Sequence, residues 1–202
     1  MQFTTFALAA LSMGSAIALP VVDGLPAFGD ALSVVGNVKA IVQTQVATIT
    51  TLTKSTQAGE TVTKIEASLL TVGQSVNSLL PGLLTLANSP TSALSQKQIA
   101  AVPQLVSDCQ AIFASVQSVG KTVVSGLPQT ALNQVQPELQ WVLSTAGPVV
   151  KPLLSFTTSA VPVTSSVYEQ VATSIAEVQE IANGLLISPI NTVVGGALGG
   201  VL

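Results

Sequence analysis

The sequence predicts an all-α protein, an antiparallel bundle of about five amphipathic, partly proline-kinked helices. Apolar residues recur at alternating steps of three and four along most of the 202-residue chain. That is the spacing of one apolar stripe on a helix. Short polar or Gly/Pro turns separate the stripes, and no stretch reads convincingly as a strand.

The chain opens with MQFTTFALAALSMGSAIALP, in which an apolar run from Phe3 to Met13 precedes Ala16-Ile17-Ala18. The small-residue site suits signal peptidase, and the run is shorter than the ~20 residues that span a bilayer. Residues 1–18 therefore read as a secretory signal peptide, although only the amino terminus charges its first segment. Residues 19–29 read as a Pro/Gly linker, 30–187 as the bundle and 188–202 as a Gly-rich apolar tail.

Asp30 is placed to cap a first helix whose stripe is Val35, Val38, Val42, Ile49 and Leu52, with Gln45 in an apolar slot. A left-handed glycine cap is expected at Ala58-Gly59. Glu60 suits the positive end of a second helix, which carries Val62, Ile65, Leu69, Val72, Val76, Leu79, Leu83 and Leu86 in phase across Pro81-Gly82. The chain then turns at ANSPTS. Ser95 and Gln98 form a capping box for the third helix, with Ile99, Val102, Val106, Cys109, Phe113 and Val116 on its stripe. It should stop near Gly120 or Gly126.

Pro128 opens the fourth helix, whose stripe of Leu132, Val135, Leu139, Val142 and Ala146 leads to Gly147-Pro148. The segment GPVVKPLLSF should then break or redirect the chain. Ser166 and Glu169 suggest a second capping box ahead of Tyr168, Val171, Ile175, Val178, Ile181 and Leu185 on the fifth helix.

Pro81, Pro103 and Pro137 sit inside stripes that resume in register, and each frees a carbonyl four residues earlier, at Asn77, Ile99 and Asn133. Two accounts stand. In one, Pro103 lies in the first turn of a helix that starts later, and the others bend helices round the core. In the other, the kinks bow helices apart and leave an apolar cavity, a common ligand site in a bundle.

Composition excludes much chemistry. Hydrophobic residues are 48% and charged residues 7%, against a usual charged share of about 25%. Net charge is −3, and the six cations are all lysines, too few and too scattered to neutralise a nucleic-acid backbone. Without histidine the usual general base and metal ligand are missing. The pairs Glu177/Glu180 and Glu60/Glu66 flank stripes and read as solvated faces, so no enzyme, cofactor or metal is expected. Cys109, the single cysteine, reads as a small buried hydrophobe.

The uncharged stretch from Ala67 to Gln96 is broken by Gln74, Ser75, Asn77, Pro81 and Asn88, unlike a spanning helix. The tail lacks the polar spacer of a GPI signal. No N-glycosylation sequon is present, while TQVATITTLTKST and SFTTSAVPVTSS are Ser/Thr-dense enough to accept O-mannose.

From LPVVDG through EVQEIANGLL the chain resembles the fungal hydrophobic surface-binding protein A family, which includes cell-wall galactomannoproteins. The likeness rests on the secretory start, on Val/Leu/Ala heptads such as VTKIEASLLTVGQSV and VYEQVATSIAEVQEIANGLL, and on Ser/Thr/Gln-rich faces. The resemblance implies a secreted or wall-associated protein that adsorbs to hydrophobic solids, with a fatty acid held inside some relatives. The expected function is non-enzymatic binding of hydrophobic surfaces or lipids. The alternative is a structural or antigenic wall mannoprotein, associated with wall polysaccharide and lacking a ligand cavity.

Residues expected to line an acyl cavity are Leu69, Val72, Val76, Phe113, Val116, Leu139, Val142, Val171, Ile175 and Val178. About 15 buried methylenes at ~0.8 kcal/mol each would drive such binding before association costs are subtracted. A carboxylate head would need Gln45, a hydroxyl, a freed backbone amide, or Lys121 or Lys151.

Overall fold

The computed structural model describes residues 24–54, 58–162 and 164–186. The signal peptide assigned to 1–18, most of the linker and the tail of 188–202 lie outside them. The elements are α1 (Pro26–Leu52), α2 (Ala58–Asn77), α3 (Leu79–Ala87), a 3-10 turn (Thr91–Ala93), α4 (Gln96–Gly126), α5 (Gln129–Ala160) and α6 (Tyr168–Leu186). They form the expected all-α bundle of five rods, with α2 and α3 making one rod interrupted at Ser78. No strand occurs among the described residues.

Rods adjacent in sequence run antiparallel, but the two hairpins lie side by side. Leu25, Lys39 and Thr53 of the first hairpin meet Gln98, Asp108 and Gly126 in the same order, so α1 and α4 run parallel. It follows from the two hairpin turns that α2 and α5 also run parallel, with Trp141 lying on Gly73. The chain crosses between hairpins at Asn88–Ser95, where Leu94 is buried. Helix α6 packs on α4 and α5, outside the four-rod core.

Local chemistry explains most boundaries. Helix α1 starts at Pro26 rather than Asp30, because proline at the first turn has the helical φ and no N–H to leave unpaired. Its end is capped from α4: the backbone N–H of Leu25 donates to Gln98 Oε1 at 2.9 Å, and Gln98 Nε2 donates to the Leu25 carbonyl at 2.9 Å. The same Gln98 completes the expected capping box with Ser95. The first helix ends at Leu52, before the expected glycine cap; Gly59 lies inside α2, and no described glycine has positive φ.

The three prolines occupy different kinds of position. Pro81 is the third residue of α3, so it ends α2 at Asn77 and sits where its missing N–H is harmless. Pro103 is buried eight residues into α4, which overturns the reading of a helix that starts later. Helix α5 runs through Pro137, Pro148 and Pro152 to Ala160, where a break after Gly147 was expected. An interior proline costs ~3 kcal/mol, but Val149, Leu153 and Phe156 are each at most 1% exposed, and burying such side chains contributes about 1.5–3 kcal/mol apiece. Burial wins, and Phe156 meets Phe28 of α1 with ring centroids 5.9 Å apart. Ser166 lies two residues ahead of α6, so it does not cap it; the nearby Ser165 hydroxyl accepts the Val167 N–H at 3.4 Å instead.

The seam between α1 and α4 holds one buried charge. Asp108 accepts hydrogen bonds from Lys39 Nζ at 2.7 Å and Gln104 Nε2 at 2.9 Å. Asp108→Ala should lower stability by roughly 1–3 kcal/mol, because it strands the Lys39 ammonium in a half-buried position. Lys39→Met combined with Asp108→Leu should recover most of that loss, and urea denaturation of the two variants against the native protein measures both effects.

Candidate functional site

The ten residues expected to line a cavity come together, but as a packed core. Leu69, Val72, Val76, Phe113, Val116, Leu139, Val142, Val171 and Val178 are all buried in one apolar cluster, with half-buried Ile175 packed against it. Gln45 is half-buried on α1 beside Val46, so the apolar slot in that turn is shared between them. None of these eleven residues lines a solvent-open groove that runs between α5 and α6.

That groove follows the seam of α5 and α6 and encloses about 570 Å³. One stripe of α5 supplies Gly147, Val150, Lys151, Leu154, Ser155 and Thr158, at steps of three and four that keep them on one flank; Gln179 and Asn183 of α6 face them. Val150 and Leu154 form an apolar floor, Gly147 leaves room at one end, and the hydroxyls and amides stand at the rim. Its volume falls in the ~300–1,000 Å³ range of small-molecule sites, and its open shape suits a chain lying along the seam. Lys151 is the cation on this stripe, and it was among the head-group candidates in the sequence.

Other exposed apolar side chains lie elsewhere. Val34 and Ile41 stand seven residues apart on α1, Leu70 and Leu84 on the α2–α3 rod, and Trp141 on α5, each 36–43% exposed. Around them the threonines turn inward. Thr44, Thr48, Thr51, Thr71 and Thr85 donate their hydroxyl hydrogens to the carbonyl four residues earlier, at 2.9–3.0 Å. Their donors are thus satisfied without water.

Two helical stretches, Gly59–Ala87 and Gln96–Gly126, have the length and composition to cross a membrane; 39% and 50% of the apolar 18-residue window in each is buried inside the bundle. In the second, the core stripe accounts for the apolar content. Among the described residues no group of three or more His, Cys, Asp or Glu is placed to hold a metal. Sequence reasoning missed Asp108, Glu138, Trp141 and the floor of the groove. The signal for Asp108 was an acid directly beside the apolar stripe at Cys109.

No family model, curated protein or solved structure matches the chain.

Cys109 is fully buried. Burial first, and the Asp108 carboxylate second, push its thiol from the ordinary 9.0 up to about 12. The thiolate is the reactive form, so labelling of Cys109 by a disulfide reagent at pH 8 should be slow and limited by unfolding. Because the folded pKa is raised, this group contributes stability that is complete below about pH 9 and is lost as pH rises toward 12. Cys109→Ala should remove that part of the alkaline slope, as read by denaturation at stepped pH.

Proposed function

We propose that this is a secreted, non-enzymatic protein that binds lipids or hydrophobic surfaces, as the family resemblance implies. The observation that carries the reading is the α5/α6 groove, with Val150 and Leu154 as its floor and Lys151 beside them. A single acyl chain lies along the floor with its acidic head at Lys151. The groove is taken as the site in place of the bundle interior because it opens to solvent, whereas nine of the ten interior candidates are buried in the core cluster.

Delipidated protein titrated with a fluorescent long-chain fatty acid should bind one equivalent. Lys151→Glu and Leu154→Lys should each weaken binding roughly tenfold, the scale of about 1.4 kcal/mol. Absence of saturable binding, or full affinity in both variants, would contradict the groove.

A second reading has its own observation. The exposed apolar residues sit on helices with few ions, and the threonine hydroxyls beside them are already bonded to backbone. Such a surface loses little hydration when it meets an oily solid. Adsorption of lipid-free protein to apolar beads, kept in Leu154→Lys but abolished by Ile41→Lys with Leu84→Lys, would favour direct adsorption.

A further inference from the structure

We propose that the α2/α5 seam carries a second site, independent of the groove, which binds a small organic ammonium ion between the Glu138 carboxylate and the Trp141 ring. Glu138 Oε2 is buried and has no hydrogen-bond partner among the described residues. A buried carboxylate oxygen in that state lacks the donor that offsets its lost hydration. Trp141 follows one turn later on the same helix, and residues three apart stand next to each other on a helix surface.

The opposite wall follows from the parallel register. Trp141 lies against Gly73, where even a methyl group would overlap the ring. Because α2 and α5 run in the same direction, Leu70, three residues before Gly73, comes abreast of Glu138. Glu66, half-buried, stands one turn before Leu70 on the same flank of α2. The register therefore sets Leu70 abreast of Glu138 beside the Trp141 ring, with Glu66 one turn further along the seam, and Leu70 is 42% and Trp141 36% exposed.

Cations of the two helices are engaged or distant. Lys64 is an exposed side chain 3.7 Å from Glu60. Lys151 is thirteen residues beyond Glu138, about 20 Å along the helix axis.

These groups specify the ligand's chemistry. A positive charge compensates Glu138, and tryptophan is the side chain whose face best attracts a cation. The apolar flank of Leu70 and the ring favour alkyl substituents over the water shell of a metal ion. The fitting class is a quaternary or alkyl-substituted ammonium.

Trp141 is the only tryptophan in the chain, so its fluorescence reports on the site. The probe is choline, titrated at constant ionic strength against its uncharged tert-butyl analogue and against sodium and calcium chloride. Choline should change the emission saturably, and Glu138→Gln should weaken that response roughly tenfold or more. Glu66→Gln should weaken it less. Melting curves should show Glu138→Gln folded as the native protein is. A response equal in Glu138→Gln, equal with the uncharged analogue or the inorganic salts, or absent altogether would overturn the proposal.

Discussion

The parallel docking of one hairpin on the other is the constraint on which the rest of the structure depends. Two contacts fix it along α1 and α4. Gln98 holds the backbone N–H and carbonyl of Leu25 at one end, and the Lys39–Asp108 pair sits further along. A register slip of one turn would strand the Asp108 carboxylate in the core and uncap α1. With α1 and α4 set, the hairpin turns bring Gly73 under Trp141 and leave α4 and α5 with a shared outer flank. Helix α6 covers that flank incompletely, and the uncovered part is the groove.

Much of this was legible in the amino-acid sequence. Most of the stripe residues are buried, from Val35 and Val42 on α1 to Val171 and Val178 on α6, while Leu52, Ile99, Tyr168, Ile175 and Ile181 are half-buried against the core, because period alone selects the face that packs. The Ser95–Gln98 capping box was legible for the same reason, being a local arrangement. Pro148 and Pro152 misled: local propensity argues for a break there, while the burial of Val149, Leu153 and Phe156 lies in tertiary contacts that no local rule contains. The groove was hidden as well. Its residues occupy the edge of the α5 stripe, and only the placement of α6 decides that buried Val150 and half-buried Leu154 border a groove.

Scarcity of charge links the fold to its proposed use. With six cationic and nine acidic residues in the whole chain, each buried ion is conspicuous. One, Asp108, is fully employed in joining the hairpins. Half-buried Glu138 has one buried oxygen without a hydrogen-bond partner among the described residues. The outer faces are polar through Ser, Thr and Gln, and many of their hydroxyls are bonded to their own helix. A protein built this way keeps its fold in water while presenting faces that an apolar phase can approach at little cost.

The most direct test of the account is a titration of delipidated, methyl-labelled protein with a saturated fatty acid, followed by NMR of the Val and Leu methyl groups. The account predicts saturable shifts at Val150 and Leu154, with the core methyls of Leu69, Val72 and Val76 unmoved. Shifts at those core methyls instead would place the ligand inside the bundle, and no shift anywhere would leave the groove without a lipid; either result contradicts the α5/α6 site.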